Sequence, residues 1–324
     1  MQKLMPKSFI QLKKASFLGG FFVVIFLVLT SCTTDKADGK MVFRYNEPAG
    51  IPSLDPAFAK EKSSIWVVQQ LYEGLVALDS ENAVVPALAL EWEIDSTAKV
   101  YTFRLRNASF HNGKPLAADD VVYSLNRLRD AKVASPGSWV VEDIASLRTV
   151  DASTVEIVLK QPNSTFLSLL AMPFCSVVPK DEITLTKSPV GTGPFKFHVW
   201  HYGEKLVLHK NETYWRIDGD GAQLPYLDGI SISFLTDQQS AFLEYLRGNF
   251  DFLPNLDPSF KDDLLTKQGA LQERYTAEHT LLRSPFLNTE YLVFNATRPL
   301  PKDLRWAINA SIDRKEMITA LRNG

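Results

Sequence analysis

Two glycines separated by one residue, Gly191 and Gly193, and two histidines three apart, His198 and His201, are the places where residue type and spacing could carry chemistry. Glycines ahead of a helix can cradle a phosphate, because backbone N–H groups then approach the anion unobstructed. Here the third glycine of a G-x-G-x-x-G run is replaced by Lys196 and no helical pattern follows, so the cradle reading fails. Two imidazoles can hold a transition metal, but residues three apart on a strand face opposite sides, and no nearby Cys or His completes a site. The expectation is therefore no metal and no cofactor. The paired acids Asp119-Asp120 and Asp262-Asp263 fall at predicted helix starts, where the helix dipole favours them without any acid–base role. G-x-S-x-G, H-E-x-x-H and Walker sequences are absent from the chain, so nucleophile-elbow, zinc-hydrolase and nucleotide-hydrolysis readings lack their signatures. No enzyme is expected, with a secreted hydrolase kept as the alternative of another class.

The stretch 188–197, Ser-Pro-Val-Gly-Thr-Gly-Pro-Phe-Lys-Phe, joins two regions of different pattern. Gly191 and Gly193 permit backbone angles that other residues avoid, while Pro194 fixes its own φ and biases Gly193 towards extended geometry, so the stretch reads as a hinge feeding a strand. Before it, a strand is expected at 41–46 and a turn-rich loop at 47–56. An amphipathic helix follows, with Ile65, Val68, Leu71, Tyr72 and Leu75 on one side and Ser63 or Ser64 as N-cap. The region 76–187 reads as a compact αβ unit, with a strand at 100–105, a helix at 118–129, a hairpin of 146–150 with 154–159, and a helix at 164–171. After the hinge come strands at 195–200, 205–209 and 230–235 and a helix at 238–247. A strand at 291–295, a helix at 301–312 and a second helix capped by Asp313 and Glu316 complete the pattern.

Composition sets the class. Of 324 residues, 45% are hydrophobic and 22% charged, the make-up of a globular chain with a sizeable core. The first 31 residues differ: Lys3, Lys7, Lys13 and Lys14 precede an apolar run at 17–29 that is short for a membrane span, the pattern of an export signal. It closes on Leu29-Thr-Ser-Cys32, which resembles a bacterial lipoprotein lipobox and makes Cys32 the expected lipid anchor, with 32–40 as a polar tether. Cys175 alone would remain in the mature chain, so no intramolecular disulfide is expected and the thiol reads as buried filler. Removing four of the 35 basic residues and none of the 37 acidic ones leaves 31 against 37, net −6, which argues against nucleic acid as a partner.

Ten blocks in order resemble the family 5 extracytoplasmic solute-binding proteins, the dipeptide, oligopeptide and nickel receptors of bacterial ABC importers. They are Ser53-Leu-Asp-Pro56, Leu71-Tyr-Glu-Gly-Leu75, Pro86-Ala-Leu-Ala89 with Trp92, and Phe110-His-Asn-Gly-Lys-Pro115 with Ala118-Asp-Asp-Val-Val122. Val190-Gly-Thr-Gly-Pro-Phe195, Asn211-Glu-Thr-Tyr-Trp215, Leu246-Arg-Gly-Asn-Phe-Asp251, Tyr291-Leu-Val-Phe-Asn295 and Ala310-Ser-Ile-Asp-Arg314 follow. One departure is Ala117, where the family often has Thr at the helix cap, a change worth about 1 kcal/mol.

The resemblance implies an α/β, two-lobed, type II periplasmic-binding-protein-like fold with an inserted αβ subdomain. It divides the chain into a signal peptide (1–31), tether (32–40), lobe I (41–73 and 190–279), inserted subdomain (74–189), and the start of a truncated lobe II (280–324). It implies a lipid-anchored monomer outside the cytoplasm that passes short peptides to ABC permease subunits, or a nickel, haem or other non-peptide receptor on the same fold. In peptide receptors an acidic residue of the second lobe pairs with the ligand ammonium, and none is assigned here. Aromatics that could line a cleft are Phe58, Trp66, Trp139, Trp200, Tyr214, Trp215 and Tyr226. The expected ligand-binding set is Phe58, Lys60, Glu61, Ser63, Trp139, Thr192 and Gly193, with Gly191, Gly193 and Pro194 as hinge.

Overall fold

The computed structural model describes residues 39–180, 188–254, 258–283 and 291–322. Two hydrophobic cores organise it. In the first, strand β1 (Val42–Asn46) pairs in parallel with β10 (Gly229–Ser233), and the antiparallel strands β9 (Lys205–Lys210) and β8 (Phe195–His201) extend the sheet in the order β1-β10-β9-β8. Helix α1 (Lys62–Leu71) presses Val67, Val68 and Leu71 against Tyr45, Leu206, Leu208 and Ile232. Each such buried aliphatic side chain contributes about 1.5–3 kcal/mol of transfer free energy.

The second core lies under an antiparallel sheet of order β4-β5-β7-β6, formed by β4 (Ala89–Ile94), β5 (Val100–Leu105), β7 (Thr154–Leu159) and β6 (Ile144–Asp151). Beside it stands the two-stranded pair β2 (Val76–Leu78) and β3 (Val84–Pro86). Period-two alternation in β5 and β7 buries Tyr101, Phe103, Val155 and Ile157. Helix α2 (Ala118–Arg129) covers this face with Val121, Leu125 and Leu128. Ala117 does occupy its N-cap position and offers no side-chain acceptor, but the Asp120 carboxylate accepts the Ala117 N–H at 3.0 Å, which keeps half of a capping box.

The short helix α3 (Phe166–Leu170) and the helices α4 (Gln238–Leu246), α5 (Lys261–Leu264), α6 (Lys302–Ser311) and α7 (Arg314–Arg322) complete the regular structure. Cys175 is buried and free, its thiol pushed up to about 12 by burial. Among the described residues no helix is long and apolar enough to cross a membrane. Cys32 and the export-signal segment lie outside the described residues.

Several expected elements are corrected. Neither Ser63 nor Ser64 caps α1: Glu61 holds the cap position without a side-chain cap bond, and both serines are buried inside the first turn. That helix ends at Leu71, because Tyr72 is extended, so Leu75 belongs to the following segment. The helix expected at 164–171 contracts to α3, since Asn163 Oδ1 accepts from the Thr165 N–H and hydroxyl and holds the approach in a turn. Residues 291–295 are irregular and exposed instead of a strand, because no neighbouring strand among the described residues offers them a ladder. Helix α6 leaves Leu304 and Trp306 exposed and buries none of its residues, while Asp313 Oδ1 accepts the Glu316 N–H at 2.9 Å at the start of α7.

Candidate functional site

The chain passes between the two cores repeatedly. Tyr72 belongs to the first core and Leu75 to the second, Val177 and Val178 sit in different cores, and Val190 and Phe195 bracket a third crossing. At this joint glycine is required by space, not by positive φ. A Cβ on Gly191 would lie 2.0 Å from Leu71 O, and one on Gly193 would lie 2.5 Å from Gln70 O. Both sit directly against the C-terminal end of α1, and the Gly193 N–H donates to Leu71 O at 3.0 Å.

His111, from the loop ahead of α2, fastens the same stretch. Its backbone N–H donates to Gly191 O at 2.8 Å, and its ring bridges Gly191 and Gly193. Because the Gly191 N–H points at Nδ1 at 3.2 Å, the proton of the neutral ring belongs on Nε2, which donates to Gly193 O at 3.0 Å. Burial lowers this imidazole to about 4, the Gly193 carbonyl opposes the shift, and the charge of Lys196 adds to it. Asn211 completes the clamp, its Nδ2 donating to Gly193 O at 3.0 Å and its N–H to Pro194 O at 2.9 Å.

On the other side of the stretch lies Glu73. Its half-buried carboxylate accepts from Tyr214 OH at 2.9 Å and from Trp215 Nε1 at 3.1 Å. The buried Thr192 hydroxyl, after Trp215 and Tyr214, also favours the ionised carboxylate. Burial raises the Glu73 pKa, against the opposing pull of the Trp215 and Tyr214 bonds and the Arg106 charge. The Arg106 guanidinium lies over the Trp215 ring at 3.4 Å and donates to Ala87 O. Asp55 and Arg127 form a further buried ion pair across the cores, with Arg127 Nη1 donating to Asp55 Oδ1 at 2.7 Å.

A cavity of about 750 Å³ opens where the first turns of α1 face residues 245–282. Its wall is mostly apolar, with Phe252, Leu253, Pro254, Leu264 and Leu271, and it carries the charges of Lys62, Glu278 and Asp251, the last paired with Arg44 at 2.7 Å. The Lys62 ammonium stands 4.8 Å from the Trp66 ring centroid. Tyr245 OH meets His279 Nδ1 at 2.8 Å, and Tyr275 meets the same imidazole edge-on at 5.8 Å. An apolar cleft with few convergent polar groups is the usual form of a small-molecule site.

The expected binding residues therefore scatter. Lys60 and Glu61 are exposed and paired at 3.5 Å, immediately before the cavity residue Lys62. Phe58 is half-buried against the second core. Ser63, Thr192 and Gly193 are buried in packing, with the last two at the joint. Trp139 is exposed in a separate groove of about 560 Å³ with Arg129, Glu142 and Lys160. Of the remaining aromatics, Trp66 lines the cavity, Tyr214 and Trp215 hold Glu73, and Tyr226 is exposed and bonded to Asp218. Tyr245, Phe252, Glu278 and His279 were missed. Only the Asn-Phe-Asp-Phe run before Leu253 hinted at them, since the other segments are distant in sequence. His198 stacks on His209, not on His201, with ring centroids 3.9 Å apart.

The family model "Bacterial extracellular solute-binding proteins, family 5 Middle" matches residues 83–324. The chain belongs to this family. It is 29% identical to the probable deoxycholate-binding periplasmic protein YgiS of Escherichia coli, over 85% of this chain and 54% of the relative. It is 27% identical to the periplasmic oligopeptide-binding protein OppA of Salmonella typhimurium, over 96% and 61%. The solved structure of the Escherichia coli murein tripeptide binding protein MppA superposes with a TM-score of 0.64 at 28% identity, covering 70% of this chain and 48% of that one. The chain thus spans about half the length of the relatives it matches, and its fold is the mixed α/β periplasmic-binding-protein fold over that share. The family consists of binding proteins, and these relatives are periplasmic by name.

Proposed function

We propose that the protein captures short peptides outside the cytoplasm and delivers them to an ABC permease, held at the membrane by lipid on Cys32. The observation that carries this reading is the cavity beside α1, whose mostly apolar wall bears one cation, Lys62, and two anions, Glu278 and Asp251, the latter already paired with Arg44. A zwitterionic ligand with varied side chains needs that combination. In this reading lobe I comprises 41–73 and 190–279, the inserted subdomain 74–189, and 280–324 opens the second lobe, with Gly191, Gly193 and Pro194 at the crossing. Lys60, Glu61 and Ser63, next to the cavity residue Lys62, are retained as ligand contacts, while Phe58, Trp139, Thr192 and Gly193 meet a ligand only if the two lobes close on it.

Native mass spectrometry of the protein from its source tests the ligand class, a bound mixture of short peptides being expected. Hydrolysis of added peptide would sink the receptor reading. A single defined non-peptide adduct would favour the second reading, a receptor for another solute, which the deoxycholate-binding name of YgiS supports at a similar level of identity. For the anchor, Cys32→Ser is expected to abolish palmitate labelling and membrane fractionation, and unchanged labelling overturns it.

A further inference from the structure

We propose that His198 and His209 form a chelating site for a borderline transition-metal ion, such as Cu(II), Ni(II) or Zn(II), on the outer face of the β8–β9 ladder and away from the α1 cavity. The ladder builds the pair. Register slips between Phe197 and Val199, so His198 is the extra residue of a bulge and turns onto the face that already carries His209. The two rings lie 3.9 Å apart and 17° from parallel, so the side chains are adjacent, and chelation requires the stacked rings to turn until their in-plane nitrogen lone pairs converge on one ion.

The chain has five histidines, and their commitments differ. His111 and His279 spend ring nitrogens on protein groups. The rings of His198 and His209 make no hydrogen bond among the described residues, and both are exposed. The strand neighbour of His209 on its far side is Gly229, which has no side chain to crowd the face. Lys196 stands opposite His209 in register and the charge of Lys40 also acts on it, so a cation gains nothing here from charge and must be held by the imidazole nitrogens themselves. Ions that bind neutral imidazole nitrogen are the ones selected. With two protein donors, the other coordination positions are left to water. No group of three or more ligating side chains occurs among the described residues, so this is a two-donor site.

The test is copper titration of the untagged full chain, followed by electron paramagnetic resonance and by NMR of the histidine ring protons. One equivalent of Cu(II) should show nitrogen hyperfine coupling, and substoichiometric copper should broaden the His198 and His209 ring signals before those of His201 or His279. His198→Asn and His209→Asn should each weaken binding by more than about tenfold, the scale on which even outer-shell groups act, while His201→Asn leaves it unchanged. Absence of binding, retention of affinity in the H198N/H209N double variant, or first broadening at other histidines would overturn the site. The broadening needs no variant, so it decides the matter even if a substitution disturbs the sheet.

Discussion

The joint around Glu73 and His111 and the rim around Lys62 and Glu278 use the same kinds of polar side chain in opposite ways. At the joint, both nitrogens of His111 and the carboxylate of Glu73 are engaged by named partners inside the protein. At the rim, Lys62 leans over Trp66 while Glu278 faces solvent beside an apolar wall. The difference teaches that the glycine-rich stretch, the most conspicuous motif in the sequence, marks where two cores are fastened together, while the cavity proposed for the ligand is assembled from residues with no local signature.

The sharpest way to break this comparison is to add one atom at the joint. Gly191→Ala puts a Cβ 2.0 Å from Leu71 O, a backbone atom that cannot step aside. It is expected to cost about 3 kcal/mol or more in urea unfolding. A loss below about 1 kcal/mol would show that the joint yields and that the stretch is a compliant hinge.

Acid is the next lever. His111 is held neutral, its folded value of about 4 lying below the ordinary 6.5. The unfolded chain therefore takes up the proton first, so this contribution is complete above about pH 6.5 and is lost as pH falls through 4, reaching about 3 kcal/mol. Glu73 works in the other direction. Its raised folded pKa makes its contribution one that is present at low pH and lost as pH rises. Comparing the parent with His111→Gln separates the two: the variant should lose the acid slope between pH 6.5 and 4, and equal slopes would remove His111 from the clamp.

Smaller effects follow. Glu73→Ala leaves the Tyr214 hydroxyl and the Trp215 N–H without their acceptor, and chemical denaturation should show a loss of about 1–3 kcal/mol. At the rim the expectation inverts. Lys62→Ala and Glu278→Ala should each leave stability within about 0.5 kcal/mol. In calorimetry with the native ligand, each should weaken affinity by about tenfold, a loss of about 1.4 kcal/mol. Unchanged binding with lost stability would exchange the roles assigned to the two regions.

Much of the fold was legible locally. Strands 100–105 and 154–159 and helix 118–129 follow directly from two-residue and 3.6-residue periodicities, because one buried face per element leaves its imprint on the residues in order. Elements that depend on distant partners were less legible. The β-prone run at 291–295 has strand composition but no ladder among the described residues, and the start of α1 was misassigned because burial, not capping, decides what Ser63 and Ser64 do.

By itself the sequence determined the family, through ten blocks in order, the two kinds of region on either side of 188–197, and the absence of hydrolase signatures. Only the tertiary structure decided that Gly191 and Gly193 are there for the carbonyls at the end of α1, that His111 and Asn211 close on them, and that Lys62 and Glu278 line one cavity. The physical reason is separation along the chain. Periodicity and turn chemistry act over a few residues and are written there. A steric contact between residues 71 and 191, or a cavity shared by residues 62 and 278, exists only once segments far apart in the chain have packed.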